Sequence, residues 1–197
     1  FIKQTRGECE GARQVAARHA MLIVSPDYRA KTSWMGPAAE ADLVQIIGRL
    51  KRTYPVGHII LMGGSMGATG ALTFTALHPK LIDGVVALNG TADLVHYEKF
   101  GEAIANSFGG TRAQIPDQYR KRSALYYPHK FNMPIACTTG GRDVIVPPDS
   151  VLKLLEQVRR HSKHVLSIHR VETGHSTSFE DTVKAIEFVV KALGDSK

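Results

Sequence analysis

The chain has 197 residues, of which 43% are hydrophobic and 22% charged, a balance that is typical of folded globular domains and excludes disordered and fibrous proteins. Its 25 Lys and Arg residues against 18 Asp and Glu residues give a net charge of +7, but the basic residues are scattered and accompany no nucleic-acid-binding motif. This pattern predicts no nucleic-acid partner. No apolar run approaches the roughly 20 residues that a transmembrane helix needs, so no transmembrane segment is predicted either.

Hydrophobic periodicity predicts helices that alternate with short strands along most of the chain. In chain order, the predicted elements are helix 7–19, strand 21–24, helix 37–52, strand 58–62, helix 66–78, strand 84–89, strand 135–139, helix 151–161, strand 165–171 and helix 178–193. The strands are near-continuous apolar runs, which is typical of strands that are buried on both faces. The pattern therefore predicts an α/β fold in which a mostly parallel sheet carries helices on both faces.

Residues 91–130 interrupt this alternation and are too many for an ordinary connection. Their aromatic residues are Tyr97, Phe100, Phe108, Tyr119, Tyr126 and Tyr127. We expect a small helical, cap-like insertion within a single domain that spans residues 1–197, since no linker or repeat indicates a second domain. The aromatic side chains would line an apolar wall of a substrate pocket or form the core of the insertion itself.

Ser65 lies in the stretch Gly-Gly-Ser-Met-Gly, between a predicted strand and a predicted helix. A serine hydroxyl at its normal pKa is a poor nucleophile and needs a base, a group that orients the base, and donors for the developing oxyanion. Gly63 and Gly67, two positions before and after the serine, allow the sharp turn that would expose its hydroxyl, and Gly64 and Gly70 permit still closer packing. The alternative is a purely structural glycine turn, and the spacing of neither a P-loop nor a dinucleotide fingerprint is present.

Asp143 and His175 are the candidates for the orienting acid and the base. Both follow predicted strands, and the carboxyl ends of parallel strands meet at one edge of a sheet, so we expect them beside Ser65. Asp93 is the competing acid, and the chain order Ser, Asp, His favours His175 among the nine histidines. The two cysteines, Cys9 and Cys137, lie in a predicted helix and a predicted strand and support neither a disulfide framework nor a metal site.

These motifs resemble those of the α/β-hydrolase superfamily. Residues 63–72 and 84–90 resemble the elbow region of serine esterases, including feruloyl and S-formylglutathione hydrolase-like members. Residues 140–148 and 174–176 are similar to the catalytic domain of prolyl-oligopeptidase-like hydrolases. The resemblance implies an α/β-hydrolase fold from about residue 7 onward, with Met66 N–H in the oxyanion hole. Relatives open with further strands, one of which leads to a second oxyanion donor, so the first strands of the fold are expected to be missing here.

The resulting hypothesis is a serine hydrolase that cleaves a small-molecule carboxylic ester by a Ser-His-Asp acyl-enzyme mechanism and requires no metal or organic cofactor. Two alternatives remain open, an oligopeptidase-type serine peptidase and a catalytically silent hydrolase fold that serves as a binding module. The sequence predicts no oligomeric state. It leaves the compartment open, with a soluble cytoplasmic protein as the default and secretion as the alternative.

Overall fold

The structure, a computed structural model, describes residues 3–26 and 33–194. Within these residues the sheet has four parallel strands in the order β1-β2-β3-β4. The strands are β1 Ile60–Gly64, β2 Gly84–Leu88, β3 Ile135–Gly140 and β4 Val165–Arg170. The helices are α1 Gly7–Arg18, α2 Pro37–Thr53, α3 Met66–Leu77, α4 Gly101–Phe108, α5 Pro116–Lys121, α6 Asp149–Val158 and α7 Phe179–Gly194. The prediction of an α/β fold with a parallel sheet is confirmed.

Helices cover both faces of the sheet, because successive side chains of each buried strand point to opposite faces. Val85 of β2 belongs to a core that it shares with α2, α3 and α6, whereas Val86 belongs to a second core that it shares with α1 and α7. Strands β2 and β3 are buried along their whole length, which explains why their sequences are continuously apolar.

The insertion at residues 91–130 is helical, as predicted. It contains α4 and α5 and two short 3₁₀ turns, Ala124–Tyr126 and Pro128–Lys130. A third core, which includes Tyr97, Phe108 and Tyr119, lies within it and against the loops at the carboxyl edge of the sheet. None of the helices in the described part of the chain is both long and apolar enough to cross a membrane.

The predicted strand at residues 21–24 is wrong. The segment follows α1 but belongs to none of the four strands, and Leu22 and Val24 are 61% and 43% exposed. A hydrophobic run becomes a strand only where a neighbouring strand offers hydrogen bonds, and no strand of the described residues pairs with this one. The segment instead begins with a hydrogen bond to the last turn of α1, which Met21 N–H donates to the carbonyl of Ala16 at 2.8 Å.

Candidate active site

Ser65 occupies the turn between β1 and α3 with an unusual backbone conformation. Its φ is 53° and its ψ −118°, a strained combination for a residue with a side chain. The turn is held on both sides, since Ser65 N–H donates to the carbonyl of Leu88 and the Ser65 carbonyl accepts from Thr69 N–H. The strained turn therefore projects Ser65 from the carboxyl edge of the sheet at a junction that β2 and α3 both stabilise.

Gly63 is the glycine that the turn requires. A Cβ atom at Gly63 would overlap the carbonyl group of Gly67 in the first turn of α3. The expectation that Gly64 permits closer packing is wrong, because a Cβ atom there would meet open space. A Cβ atom at Gly67 would also meet open space, and one at Gly70 would make ordinary contact with Met35. Of these four glycines, only Gly63 is therefore required by a close approach.

The structure brings Ser65, His175 and Asp143 together. His175 Nε2 lies 2.8 Å from Ser65 Oγ, and His175 Nδ1 lies 2.6 Å from Asp143 Oδ2. An ionised carboxylate only accepts hydrogen bonds, so Nδ1 carries the proton towards Asp143 and Nε2 accepts from the serine hydroxyl. The three residues come from the loops after β1, β4 and β3, respectively, and their side chains form one row of hydrogen bonds.

Asp143 is held from both sides. Its side chain is 1% exposed, and its second oxygen, Oδ1, accepts the backbone N–H groups of Ile145 and Val146 at 2.9 and 2.8 Å. His175 remains 21% exposed and so stays open to solvent. The carboxylate is thus fixed in position, while the imidazole can reach both Ser65 and an incoming molecule.

The competing candidates lie elsewhere. Asp93 accepts a hydrogen bond from the exposed His96 at 2.7 Å and two backbone N–H groups of its own turn, so it makes a local motif. His78 pairs with Glu40, and His169 with Thr139. A cavity of about 430 Å³ beside Asp93 and His96 is lined by charges of both signs and by none of Ser65, Asp143 and His175.

Met66 begins α3, so its backbone N–H belongs to the first turn, where helical N–H groups have no partner inside the helix. Such a group, at the positive end of the helix dipole, suits a developing negative charge next to Ser65. The side chain of Met66 packs against the third core, which includes Trp34 and Val146. Met66 therefore connects the turn at Ser65 with the aromatic cluster of the insertion.

Tyr97, one of the aromatic residues of the insertion, and Trp34, for which the sequence gives no signal, both lie close to the loop that bears Asp143. Tyr97 O–H donates to the carbonyl of Ile145 at 3.0 Å, which ties the insertion to the loop that bears Asp143. Burial, with the nearby charge of Asp143, raises the pKa of Tyr97 to about 12, so the hydroxyl stays a donor at physiological pH. Trp34 is 4% exposed and packs against Tyr97 and Phe100, at ring distances of 6.0 and 5.6 Å. No sequence spacing links residue 34 to the insertion.

The described residues contain no group of three or more His, Cys, Asp and Glu side chains that could hold a metal ion. Cys9 and Cys137 are buried free thiols in separate elements. Burial raises the pKa of Cys137 to about 12, which keeps it protonated and unreactive.

A parallel α/β sheet that presents a serine on a strained strand-to-helix turn, hydrogen-bonded to histidine and aspartate, defines a serine hydrolase of the α/β-hydrolase class. Residues 41–195 match the prolyl oligopeptidase family, and the chain belongs to that family. No curated protein matches it.

Three solved structures illustrate what the fold is similar to. An esterase of Pyrococcus furiosus has a TM-score of 0.70 and 20% identity over 96% of this chain and 78% of its own. The acylaminoacyl peptidase of Pyrococcus horikoshii has a TM-score of 0.66 and 19% identity, over 82% of this chain and 29% of the peptidase chain. A puromycin-hydrolyzing peptidase of Mycobacterium tuberculosis has a TM-score of 0.68 and 18% identity, over 83% of this chain and 26% of the peptidase chain. The chain thus spans less than a third of either peptidase.

Proposed function

We propose that this serine hydrolase domain cleaves small carboxylic esters through an acyl-enzyme formed on Ser65. The observation that carries the proposal is the position of His175, whose two ring nitrogens bond Ser65 Oγ and Asp143 Oδ2 at 2.8 and 2.6 Å. A base that is already oriented by a buried carboxylate is what a serine nucleophile needs.

In the first half of the reaction Ser65 Oγ attacks the ester carbonyl carbon while His175 Nε2 takes the hydroxyl proton. The carbonyl π electrons move to oxygen, and the resulting oxyanion accepts a hydrogen bond from the backbone N–H of Met66. The carbon–oxygen bond to the alcohol then breaks as His175 returns the proton to the leaving oxygen. Asp143 keeps the imidazole in the required tautomer and stabilises its charged form.

In the second half a water molecule attacks the acyl-enzyme. His175 takes a proton from the water, the bond to Ser65 Oγ breaks, and the proton returns to Oγ as the acid leaves. We assign Phe100 to the apolar wall that the substrate meets, because it is 51% exposed and its ring lies against the buried rings of Trp34 and Tyr97. The two buried residues belong to the core on which Met66 packs, so they support this wall beside the turn at Ser65.

Peptide cleavage is the second candidate, and membership of the prolyl oligopeptidase family favours it. The fold is also similar to that of an esterase, at a TM-score of 0.70, which supports esters as substrates. Amides also have the poorer leaving group, so ester cleavage demands less of the same site.

A matched series of p-nitrophenyl esters and aminoacyl p-nitroanilides tests the proposal. We expect turnover of short-chain esters with a burst of p-nitrophenol, and slower or no turnover of the anilides. Ser65→Ala should abolish turnover, whereas Ser162→Ala, at a partly buried serine just before the opposite end of β4, should retain it. Turnover of anilides at rates above those of the esters would favour the peptidase. No turnover of either class by the folded wild type would favour a silent binding fold.

A further inference from the structure

The loop between β4 and α7, residues 171–178, carries His175, and hydrogen bonds join its two ends to each other. Arg170, the last residue of β4, donates two hydrogen bonds, at 2.9 and 2.6 Å, to Asp181 in the first turn of α7. Asp181 is 6% exposed, and its N–H donates to Ser178 Oγ. These contacts close the base of the loop and fix the direction in which α7 begins.

The first part of the loop rests on the end of β3. A Cβ atom at Gly140 would overlap the carbonyl group of Gly174, so the close approach of the two backbones requires glycine there. Arg142 N–H donates to the carbonyl of Thr173 at 2.9 Å. The backbone just before His175 is therefore held against the loop that carries Asp143.

A third contact lies on the other side of His175. Thr177 Oγ1 lies 2.7 Å from Thr138 Oγ1 of β3 and accepts a hydrogen bond of 3.1 Å from Asn89 Nδ2 at the end of β2. Asn89 is 5% exposed, and its φ of 52° lies in the left-handed region. We call Asn89, Thr138 and Thr177 together the Thr177 anchor. It ties the loop to the carboxyl ends of the two central strands.

The anchor is polar where an apolar contact would have sufficed for packing. Asn89 Oδ1 is buried and has no hydrogen-bond partner, which costs stability. Hydroxyl and amide bonds are directional and fix a position, whereas apolar contacts allow sliding. Thr177 is two residues from His175, so its position sets that of the imidazole relative to Ser65.

We propose that the Thr177 anchor positions His175 for proton transfer with Ser65. The proposal rests on the function proposed above. Thr177 itself does not touch the reacting atoms, so it is a positioning residue. Because a displacement of about 1 Å can slow a positioned reaction by one or two orders of magnitude, loss of the anchor should lower kcat and leave KM nearly unchanged.

Thr177→Val tests this by removing the hydroxyl while keeping the branched shape. We expect kcat for the best p-nitrophenyl ester, and the rate of fluorophosphonate labelling, to fall about tenfold. Thr177→Ser keeps the hydroxyl and should restore most of the loss. The matched control is Thr75→Val, which removes a buried hydroxyl that bonds only Ala71 of its own helix. Equal losses in the two valine variants, or a loss in KM alone, would overturn the proposal.

A double-mutant cycle sharpens the test. Thr138→Val and Thr177→Val remove opposite ends of one bond, so the double variant should lose no more than the larger single loss. Fully additive losses would contradict a shared anchor. Melting temperatures of all variants identify any loss that comes only from partial unfolding.

A readout that does not need turnover separates the anchor from the proposed function. The His175 proton bonded to Asp143 should give a low-field NMR resonance that is absent in His175→Ala. We expect that resonance to broaden in Thr177→Val and to persist in Thr75→Val. An unchanged resonance in Thr177→Val would overturn the anchor even in an active enzyme. A lost resonance with an inactive wild type would support the anchor and reject the ester hydrolase.

Discussion

Two regions of the molecule hold the candidate site by different means. The turn at Ser65 is fixed by backbone contacts, namely a strained φ, the close approach of Gly63 to α3 and one hydrogen bond to Leu88 of β2. The loop at His175 is fixed by side chains that are distant in sequence, among them Asn89 and Thr138. A local sequence motif can therefore specify the turn at Ser65, whereas the position of His175 depends on the completed fold.

Asp143→Asn should give the largest effect, because it removes the carboxylate that holds the imidazole of His175 in the required tautomer. We expect kcat to fall by about 10⁴ with little change in melting temperature. Asp93→Asn is the matched control, since Asp93 is also buried and bonded to a histidine, and it should leave kcat unchanged. Equal losses in the two variants would show that Asp143 has no special role.

Gly63→Ala tests the backbone side of the comparison. The new Cβ atom would overlap the carbonyl group of Gly67, so we expect a loss of about 4 kcal/mol in the free energy of unfolding, measured in urea. Gly64→Ala, where the space is open, should unfold close to the wild type. If both variants are equally stable, the strained turn does not depend on close packing.

Glu40→Gln breaks the largely buried ion pair between Glu40 of α2 and Arg122. Arg122, which is 2% exposed, donates to Glu40 at 2.7 Å. Although burial of Glu40 favours its neutral form, hydrogen bonds from Arg122 and His78 outweigh it and lower the pKa of Glu40. We expect the variant to lose about 3 kcal/mol of unfolding free energy at neutral pH.

The pH dependence of that loss has a defined sign. Because the folded pKa of Glu40 lies below the unfolded value of about 4.3, its contribution is complete above that pH and disappears as the pH falls through the folded pKa. The gap between wild type and Glu40→Gln in urea unfolding should therefore shrink in acid. Glu156→Gln is the control, since its pair with Arg160 is exposed. A gap that is constant with pH would contradict the assignment.

Tyr97→Phe should have the smallest effect of the four. It removes one hydrogen bond, to the carbonyl of Ile145, and should lower the unfolding free energy by about 1 kcal/mol. Because this bond supports the loop that bears Asp143, we also expect a small fall in kcat. Tyr54→Phe, at a half-exposed tyrosine, is the control. An unchanged kcat would mean that the insertion does not support the loop that bears Asp143.

The sequence predicts most of the sheet because its strands are apolar on both faces and separated by clear turns. It fails at residues 21–24, since composition cannot report whether a strand has a neighbour. Ser65 could be found from its local pattern, and Asp143 and His175 from their places after strands in the expected chain order. Thr177, Asn89 and Trp34 gave no signal, because their roles arise from contacts between segments far apart in the chain.

Covalent labelling tests whether His175 and Asp143 activate Ser65 as a nucleophile. The purified protein would be treated with a fluorophosphonate probe and the modified peptide identified by mass spectrometry. We expect a single adduct on Ser65, absent in Ser65→Ala and formed far more slowly in Asp143→Asn. A folded wild type that stays unlabelled, or an adduct on another serine, would contradict it.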